Sequence, residues 1–399
     1  MRVATVFRNS DQFRLISYFF LVSALFFVPV SSSGKSIAIG VALGFIVLNP
    51  NFRTKLVSLS KKHWFQATIL LFTYALIACF WGPATLHEKL LVISKYTKWL
   101  TLPVLVIGFS NKTVRHLSMH AFLFAMVITC VVSLCNFFYF NSPDPGAVFR
   151  NHIMTGFMMS FAAYLSTLFA YRASGVQRLC YGLLVTLFSF QVLFVNTGRT
   201  GYVIYVMMLG LLAVQYLSWR KMLLALCVGG CCLGLVFLSS TTLRTGVNGL
   251  VSEYEHYQKD NKDTSLGYRL QFHAFAKQLF NRNPILGNGT ASFTASYRIE
   301  QPVDSWSRRL LEPHSNYWLI LSEYGLVGGG IFLFLFVSLL LESLKMSTMR
   351  PVALALILPF IIGNLSDSLL FYSGTGYFFI LVMALCLGER EDTKANASK

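Results

Sequence analysis

Four positions in this 399-residue chain have residue types and settings suited to chemistry: Arg150, Arg199, Arg269 and His314. Arg150 stands in Gly146-Ala147-Val148-Phe149-Arg150-Asn151-His152, and Arg199 in the short turn Asn196-Thr197-Gly198-Arg199-Thr200-Gly201-Tyr202. Arg269 is followed by His273 and Lys277 at helical i+4 and i+8 spacing, which puts all three on one helix face. His314 opens the stretch Pro313-His314-Ser315-Asn316-Tyr317-Trp318. Arginine stays charged and offers phosphate oxygens a planar fork of donors, so several together can hold a diphosphate and stabilise the charge that grows as it leaves. A histidine with an ordinary pKa near ~6.5 can be neutral at working pH and take a proton from an attacking hydroxyl. Read without paired carboxylates, this set implies displacement of a diphosphate by an alcohol.

Each position also has a plainer use. Arg150 can serve as an interfacial anchor, the Arg269, His273, Lys277 stripe as the wet face of an amphipathic helix, and His314 as a ring bonded to nearby backbone. Arg199 resists the plain reading, because a basic residue in a tight far-side turn runs against the positive-inside bias. Glu253, Glu255 and His256 read as solvated loop residues rather than metal ligands. No Asp-x-Asp occurs, which disfavours a metal-dependent glycosyltransferase, and neither metal nor cofactor is expected.

The elements that must position these residues are membrane helices. Of the 399 residues 55% are hydrophobic and 12% charged, about half the charged content of a soluble domain, so the formal charge of +17 does not indicate nucleic acid. A helix needs roughly 20 apolar residues to cross the hydrocarbon. Twelve candidate spans are expected, at 15–30, 36–49, 65–81, 91–108, 119–140, 152–171, 179–195, 200–217, 222–239, 316–341, 351–365 and 369–388. The 91–108 span is the least secure, since it contains Lys95 and Lys98. The first is read as a retained helix rather than a cleaved signal, because no clear cleavage site follows it. The eight cysteines (79, 130, 135, 180, 227, 231, 232 and 386) lie in apolar stretches without metal spacing and read as small core residues.

Placing the N-terminus in the cytoplasm assigns 18 of the 33 Lys and Arg to that side: Arg2, Arg8, Arg14, Arg53, Lys55, Lys61, Lys62, Lys112, Arg115, Arg172, Arg178, Arg220, Lys221, Lys345, Arg350, Arg390, Lys394 and Lys399. The opposing short connections hold only Lys35, Lys89, Arg150 and Arg199. Both termini are then cytoplasmic, and the loop 240–313 faces the far side. That loop has nine basic residues, Arg308 among them, seven acidic residues and no cysteine. Within it, Thr264 or Ser265 can cap a helix running to about Phe280, and Gly287-Asn288-Gly289 reads as a flexible turn. The run Gly328-Gly329-Gly330 suggests close packing or a kink, and the tail 389–399 reads as disordered. The chain divides into helices over 1–239, the loop subdomain 240–313, helices over 314–388 and the tail 389–399.

The stretches Ser265-Leu266-Gly267-Tyr268-Arg269, Pro284-Ile285-Leu286-Gly287-Asn288-Gly289 and Pro313-His314-Ser315-Asn316 through Glu323-Tyr324-Gly325-Leu326-Val327-Gly328 resemble the lipopolysaccharide O-antigen ligase family, within the O-antigen ligase/polymerase superfamily. Ten residues separate His314 from Gly325, as in that family's His-x10-Gly signature. The resemblance implies an all-α polytopic membrane protein of GT-C-like fold. It implies an inner-membrane glycosyltransferase that moves a polysaccharide from undecaprenyl diphosphate to a lipid A-core sugar at the periplasmic face, inverting and without metal. Carried over, His314 is the base or acceptor-orienting group and Arg269 binds the diphosphate, with Arg150 and Arg199 at the family's other basic positions. Tyr268, His273 and Asn316 are supporting residues. Val203 stands where the family's Arg-x3-Leu pattern has Leu, which weakens the Arg199 assignment. The alternatives are an O-antigen polymerase, a protein O-oligosaccharyltransferase and a twelve-helix transporter. The absence of repeated halves argues against the last.

Overall fold

Backbone surrounded by lipid must satisfy its own polar groups, and the long apolar runs of this chain do so as helices. The computed structural model describes residues 2–306 and 309–397, with side chains from 12 to 392, so Arg308 and Lys399 and the side chains of Arg2, Arg8 and Lys394 lie outside the described residues. Among the described residues there is no strand. In order the helices are α1 (Arg2–Val30), α2 (Ser32–Val47), α3 (Phe52–Ser60), α4 (His63–Ile77), α5 (Leu86–Gly108), α6 (Lys112–Phe138), α7 (His152–Arg172), α8 (Gly175–Phe190), α9 (Arg199–Tyr216), α10 (Trp219–Ser239), α11 (Thr241–Gln258), α12 (Ser265–Arg282), α13 (Ser292–Glu300), α14 (Asn316–Leu344), α15 (Arg350–Gly363) and α16 (Ser373–Ala397).

The chain is an all-α polytopic membrane protein. Among the described residues eight helices are long and apolar enough to span, or nine if the bent pair α2 and α3 forms one span, where twelve were expected. The pair turns through 100° around Pro50, which cannot continue a helix. Helix α15 has 14 residues, about 21 Å at 1.5 Å per residue, short of a ~30 Å hydrocarbon core. Helices α9 and α16 carry polar ends that dilute their apolar runs. Of the cysteines only Cys130 and Cys386 are buried, while Cys180, Cys227, Cys231 and Cys232 lie on exposed faces.

Two compact units are present. The first comprises Met1–Leu21, Ile37–Arg115 and Glu253–Lys399, and the second Val22–Ser36 and His116–Ser252. In the second, α7 is the buried centre, packed by α8 and α9, while no residue of α10 is buried. In the first, α4, α5, α12, α14 and α16 pack around one another. Of the tail expected to be disordered, residues 389–397 instead extend α16. Glu389 accepts from Ser347 Oγ (2.7 Å) and from the amides of Thr348 (2.8 Å) and Met349 (2.9 Å), capping the entry to α15.

Helix α14 is broken at Gly325, where φ is 62° and ψ −158°. A break within a spanning helix frees carbonyls before it and amides after it, and each group left unmet in hydrocarbon costs several kcal/mol. The segment Pro284–Thr290 meets them. Asn288 N donates to Ser322 O (3.2 Å) and Gly289 N to Glu323 O (2.9 Å), while Leu326 N and Val327 N donate to Pro284 O (2.8 Å) and Ile285 O (3.1 Å). Trp81 Nε1 and Tyr74 OH hold the same segment through the carbonyls of Gly287 and Leu286. The Gly287-Asn288-Gly289 turn is therefore pinned, not flexible. The kink falls at Gly325 and not in Gly328–Gly330, where a Cβ at Gly330 would meet open space.

A Cβ at Gly325 would stand 2.4 Å from Ile285 O, and one at Gly287 2.3 Å from Glu323 O, both at positive φ. Gly325→Ala and Gly287→Ala are each expected to cost on the order of 3 kcal/mol, combining left-handed strain with overpacking. Gly330→Ala should be neutral or slightly stabilising. Thermal melts of the three purified variants check this; equal melting temperatures would refute the docked-loop account.

Candidate active site

The loop helix α12 starts where its local sequence directs. Thr264 is the N-cap, its Oγ1 accepting from Gly267 N at 3.1 Å, and Phe272, Phe275, Ala276 and Leu279 bury one face. Arg269 and His273 point elsewhere, toward the turn that carries His314, while Lys277 is exposed. Tyr268 instead packs against Phe272 and Trp306, bracing the helix.

His314 lies just before α14 in the left-handed region, φ 55°. Strain of this kind in a non-glycine residue, about 1–2 kcal/mol, persists only where neighbours enforce it. Here Glu312 does so, its Oε2 accepting from His314 N at 2.6 Å. Ser315 Oγ then caps α14 by accepting from Trp318 N, and donates to Asn364 O. His273 Nε2 is 3.2 Å from His314 O; a carbonyl only accepts, so His273 carries its proton on Nε2. Burial, first, and the nearby charges of His314 and Arg269 hold the His273 pKa below its ordinary value, so it acts as a neutral donor that fixes the turn.

Two carboxylates face the His314 ring, contrary to the expectation of a site without them. Nδ1 lies 3.5 Å from Asp367 Oδ1 and 3.6 Å from Glu312 Oε1, with Tyr372 OH at 3.4 Å. Tyr372 donates to Glu312 Oε1 at 2.8 Å, and Arg269 Nη2 stands 3.4 Å from Asp367 Oδ1. Phe272 stacks on the imidazole with centroids 6.0 Å apart. Asp367 is fully buried, Glu312 nearly so, and the side chains of His314 and Arg269 are a quarter exposed. Burial works against a charged His314, but the two carboxylates outweigh it together with the Arg269 charge, and its pKa is raised.

Asp367 and Tyr372 sit in the connection between α15 and α16, held at both ends. Asn316 N and Ser315 Oγ donate to Asn364 O, and Asp367 N donates to Gly363 O. Buried Lys98, the residue that made the fifth helix doubtful, directs its ammonium at the carbonyls of Leu370, Phe371 and Tyr372. These carbonyls precede α16, which begins at Ser373 and not at 369. The Asn316 side chain is buried beside Lys98, Tyr96 and Leu370.

The second unit holds the other two arginines. Arg150 Nε and Nη2 donate to Val28 O at 3.2 and 2.9 Å, and Nη1 to Ser32 Oγ, meeting a carbonyl that the last turn of α1 leaves free. This is the anchoring use. Arg199 is the first residue of α9, after a π-helical turn over Gln191–Val195. Its turn is fixed by Thr197 Oγ1 donating to Asp144 Oδ1 at 2.6 Å, with His152 Nδ1 2.6 Å from the other oxygen of Asp144, and by Tyr202 OH donating to Asn196 O. Glycines 146, 156, 198 and 201 crowd the buried Asn196, leaving no room for a Cβ.

A polytopic membrane protein with a histidine, two carboxylates and an arginine gathered at the end of a broken helix is the class these features define. The family model described as O-antigen ligase matches residues 184–333, a stretch holding Arg199, Arg269, His314 and Gly325 but neither Arg150 nor Asp367. The match supports a relation to the O-antigen ligase family over this segment, under half of the chain. No curated protein matches it.

With its pKa raised, His314 is expected to titrate above ~6.5 and His273 below it. Histidine-labelled protein followed by NMR checks both, and Asp367→Asn should bring the His314 midpoint down. An unmoved midpoint would remove the carboxylate as its cause.

Proposed function

We propose that the chain transfers a polysaccharide from undecaprenyl diphosphate to a hydroxyl of a lipid A-core sugar, at the periplasmic face of the bacterial inner membrane with both termini cytoplasmic. The observation that carries this reading is the His314 ring with Nδ1 turned to two carboxylates and Arg269 alongside. A proton held on Nδ1 by Asp367 leaves Nε2 as the base. It takes the proton of the acceptor hydroxyl while the hydroxyl oxygen attacks the anomeric carbon. The carbon–oxygen bond to the diphosphate breaks, and undecaprenyl diphosphate leaves with its electron pair; one displacement inverts the anomeric centre. Arg269 keeps donors for the diphosphate beyond its long contact with Asp367. Such a site needs no divalent ion for the leaving group. Assignment of Arg199 to the diphosphate remains part of the proposal, whereas Arg150 is assigned to holding the end of α1.

Both substrates are anchored in the membrane, so their headgroups meet at a helix end while their tails stay in lipid. In a purified assay with lipid-linked polysaccharide and lipid A-core, His314→Ala and Asp367→Asn are expected to lower the rate about 10²–10⁴-fold. The base must be neutral, so activity is lost as pH falls through the raised His314 pKa. In Asp367→Asn that acid limb should move to lower pH. Chelator should leave the rate unchanged, and Arg199→Lys should lower it. A wild-type rate from folded His314→Ala protein, or polymer formed without the core acceptor, would sink the ligase reading.

A further inference from the structure

A cavity of about 300 Å³ lies in the first unit between the start of α4 and the end of α14, lined by none of the residues placed at the candidate active site. Its lining has two characters. Lys61, Lys62, His63 and Lys345 form a basic end, and Trp64, Phe334, Val337 and Leu341 an apolar wall.

The charge at the basic end does not balance. Glu342 is the one carboxylate in the lining, and it is met by Lys62 at 3.3 Å, Lys345 at 3.6 Å and Arg390 at 3.2 Å. Three cations thus surround one buried anion, and Lys61 adds a fourth positive charge at the rim. A residual positive field in a partly desolvated recess favours an anionic ligand. The apolar side restricts which kind. Phe334, Val337 and Leu341 follow one another at i, i+3 and i+7 on α14, all are exposed, and together they continue the cavity wall along a membrane-spanning helix. An inorganic anion has no use for that strip, whereas an acyl chain can lie on it with its headgroup among the lysines.

We propose that this cavity is a binding site for an anionic phospholipid, its phosphate held by Lys61, Lys62 and Lys345 and one acyl chain laid along Phe334, Val337 and Leu341. Basic pockets between helices on the cytoplasmic side have the chemistry for such headgroups. Assignment to the cytoplasmic leaflet rests on the topology proposed above. The lipid would bind α4 and α14 at the end opposite the Gly325 break, so it would fix the pair that carries His314 without touching the reacting groups.

The test uses the full-length protein, delipidated in detergent and titrated with phosphatidylglycerol or phosphatidylcholine under native mass spectrometry. Wild type should retain phosphatidylglycerol in preference to phosphatidylcholine. Lys61→Gln with Lys345→Gln should weaken phosphatidylglycerol about tenfold, and Lys61→Arg with Lys345→Arg should restore it. In the wild type, phosphatidylglycerol carrying a photoactivatable acyl chain should crosslink to the 334–341 strip. The glutamine pair retaining wild-type affinity, no preference between the lipids, or crosslinks confined to other helices would each overturn the proposal. None of these measurements depends on transfer activity, so their failure is separate from failure of the ligase reading.

Discussion

The interaction on which the rest of the first unit depends is backbone to backbone, between the break in α14 and the segment Pro284–Thr290. Water is absent from the hydrocarbon, so a spanning helix that breaks there must find replacement partners in protein. Four inter-segment bonds provide them, and in doing so they fasten the loop after α12 to the helix after His314. Arg269 and His273 lie one and two turns into α12, so this attachment sets where they stand relative to the histidine turn. Gly287 and Gly325 are at the contact because each backbone approaches the other more closely than a Cβ permits. The His-x10-Gly spacing is in these terms a distance along α14, from the chemistry at its first turn to the break that receives the loop.

Charge is arranged by the same logic of partnership. Asp367 is fully buried, and Arg269 and His314 face it as partners. Glu312 does two things at once: one oxygen enforces the left-handed backbone of His314, the other takes the Tyr372 hydroxyl. Two carboxylates against one guanidinium leave a local negative excess, and that excess raises the basicity of the ring. Lys98 acts one layer out. Its ammonium gathers the last carbonyls before α16 and holds the loop that presents Asp367 and Tyr372.

Local signals in the sequence were readable and long-range ones were not. Helix α12 was placed by its threonine cap and apolar spacing, and the apolar runs were found, because both are written within one or two turns. Helices α3, α11 and α13 were missed, being short or polar, with α13 beginning at a left-handed Ala291 that propensity does not foresee. The carboxylates were missed for a different reason. Asp367 reaches Arg269 across 98 positions, and nothing near it in sequence announces the partner. A signal was nonetheless present: an aspartate in Asn364-Leu365-Ser366-Asp367-Ser368, between two apolar segments, is costly in a membrane unless it has a task. Lys98 carries the same signal: an ammonium inside an apolar run is costly unless it has partners, and here they are the carbonyls before α16.

The two arginines of the second unit stand at helix ends in different settings. Arg150 directs two donors at one carbonyl and a third at a hydroxyl, so its fork is engaged in completing the last turn of α1. A guanidinium so engaged must give up those bonds before it can serve a phosphate, and the freed Val28 carbonyl would then lack its donor. Arg199 is placed differently, at the first turn of α9, where the helix's own amides already favour negative charge. Its turn is rigid by construction: Asn196 is buried among four glycines, and Asp144 holds Thr197 from the side. The two arginines therefore stand in different settings: Arg150 completes the end of α1, and Arg199 opens α9 from a turn that its neighbours hold fixed.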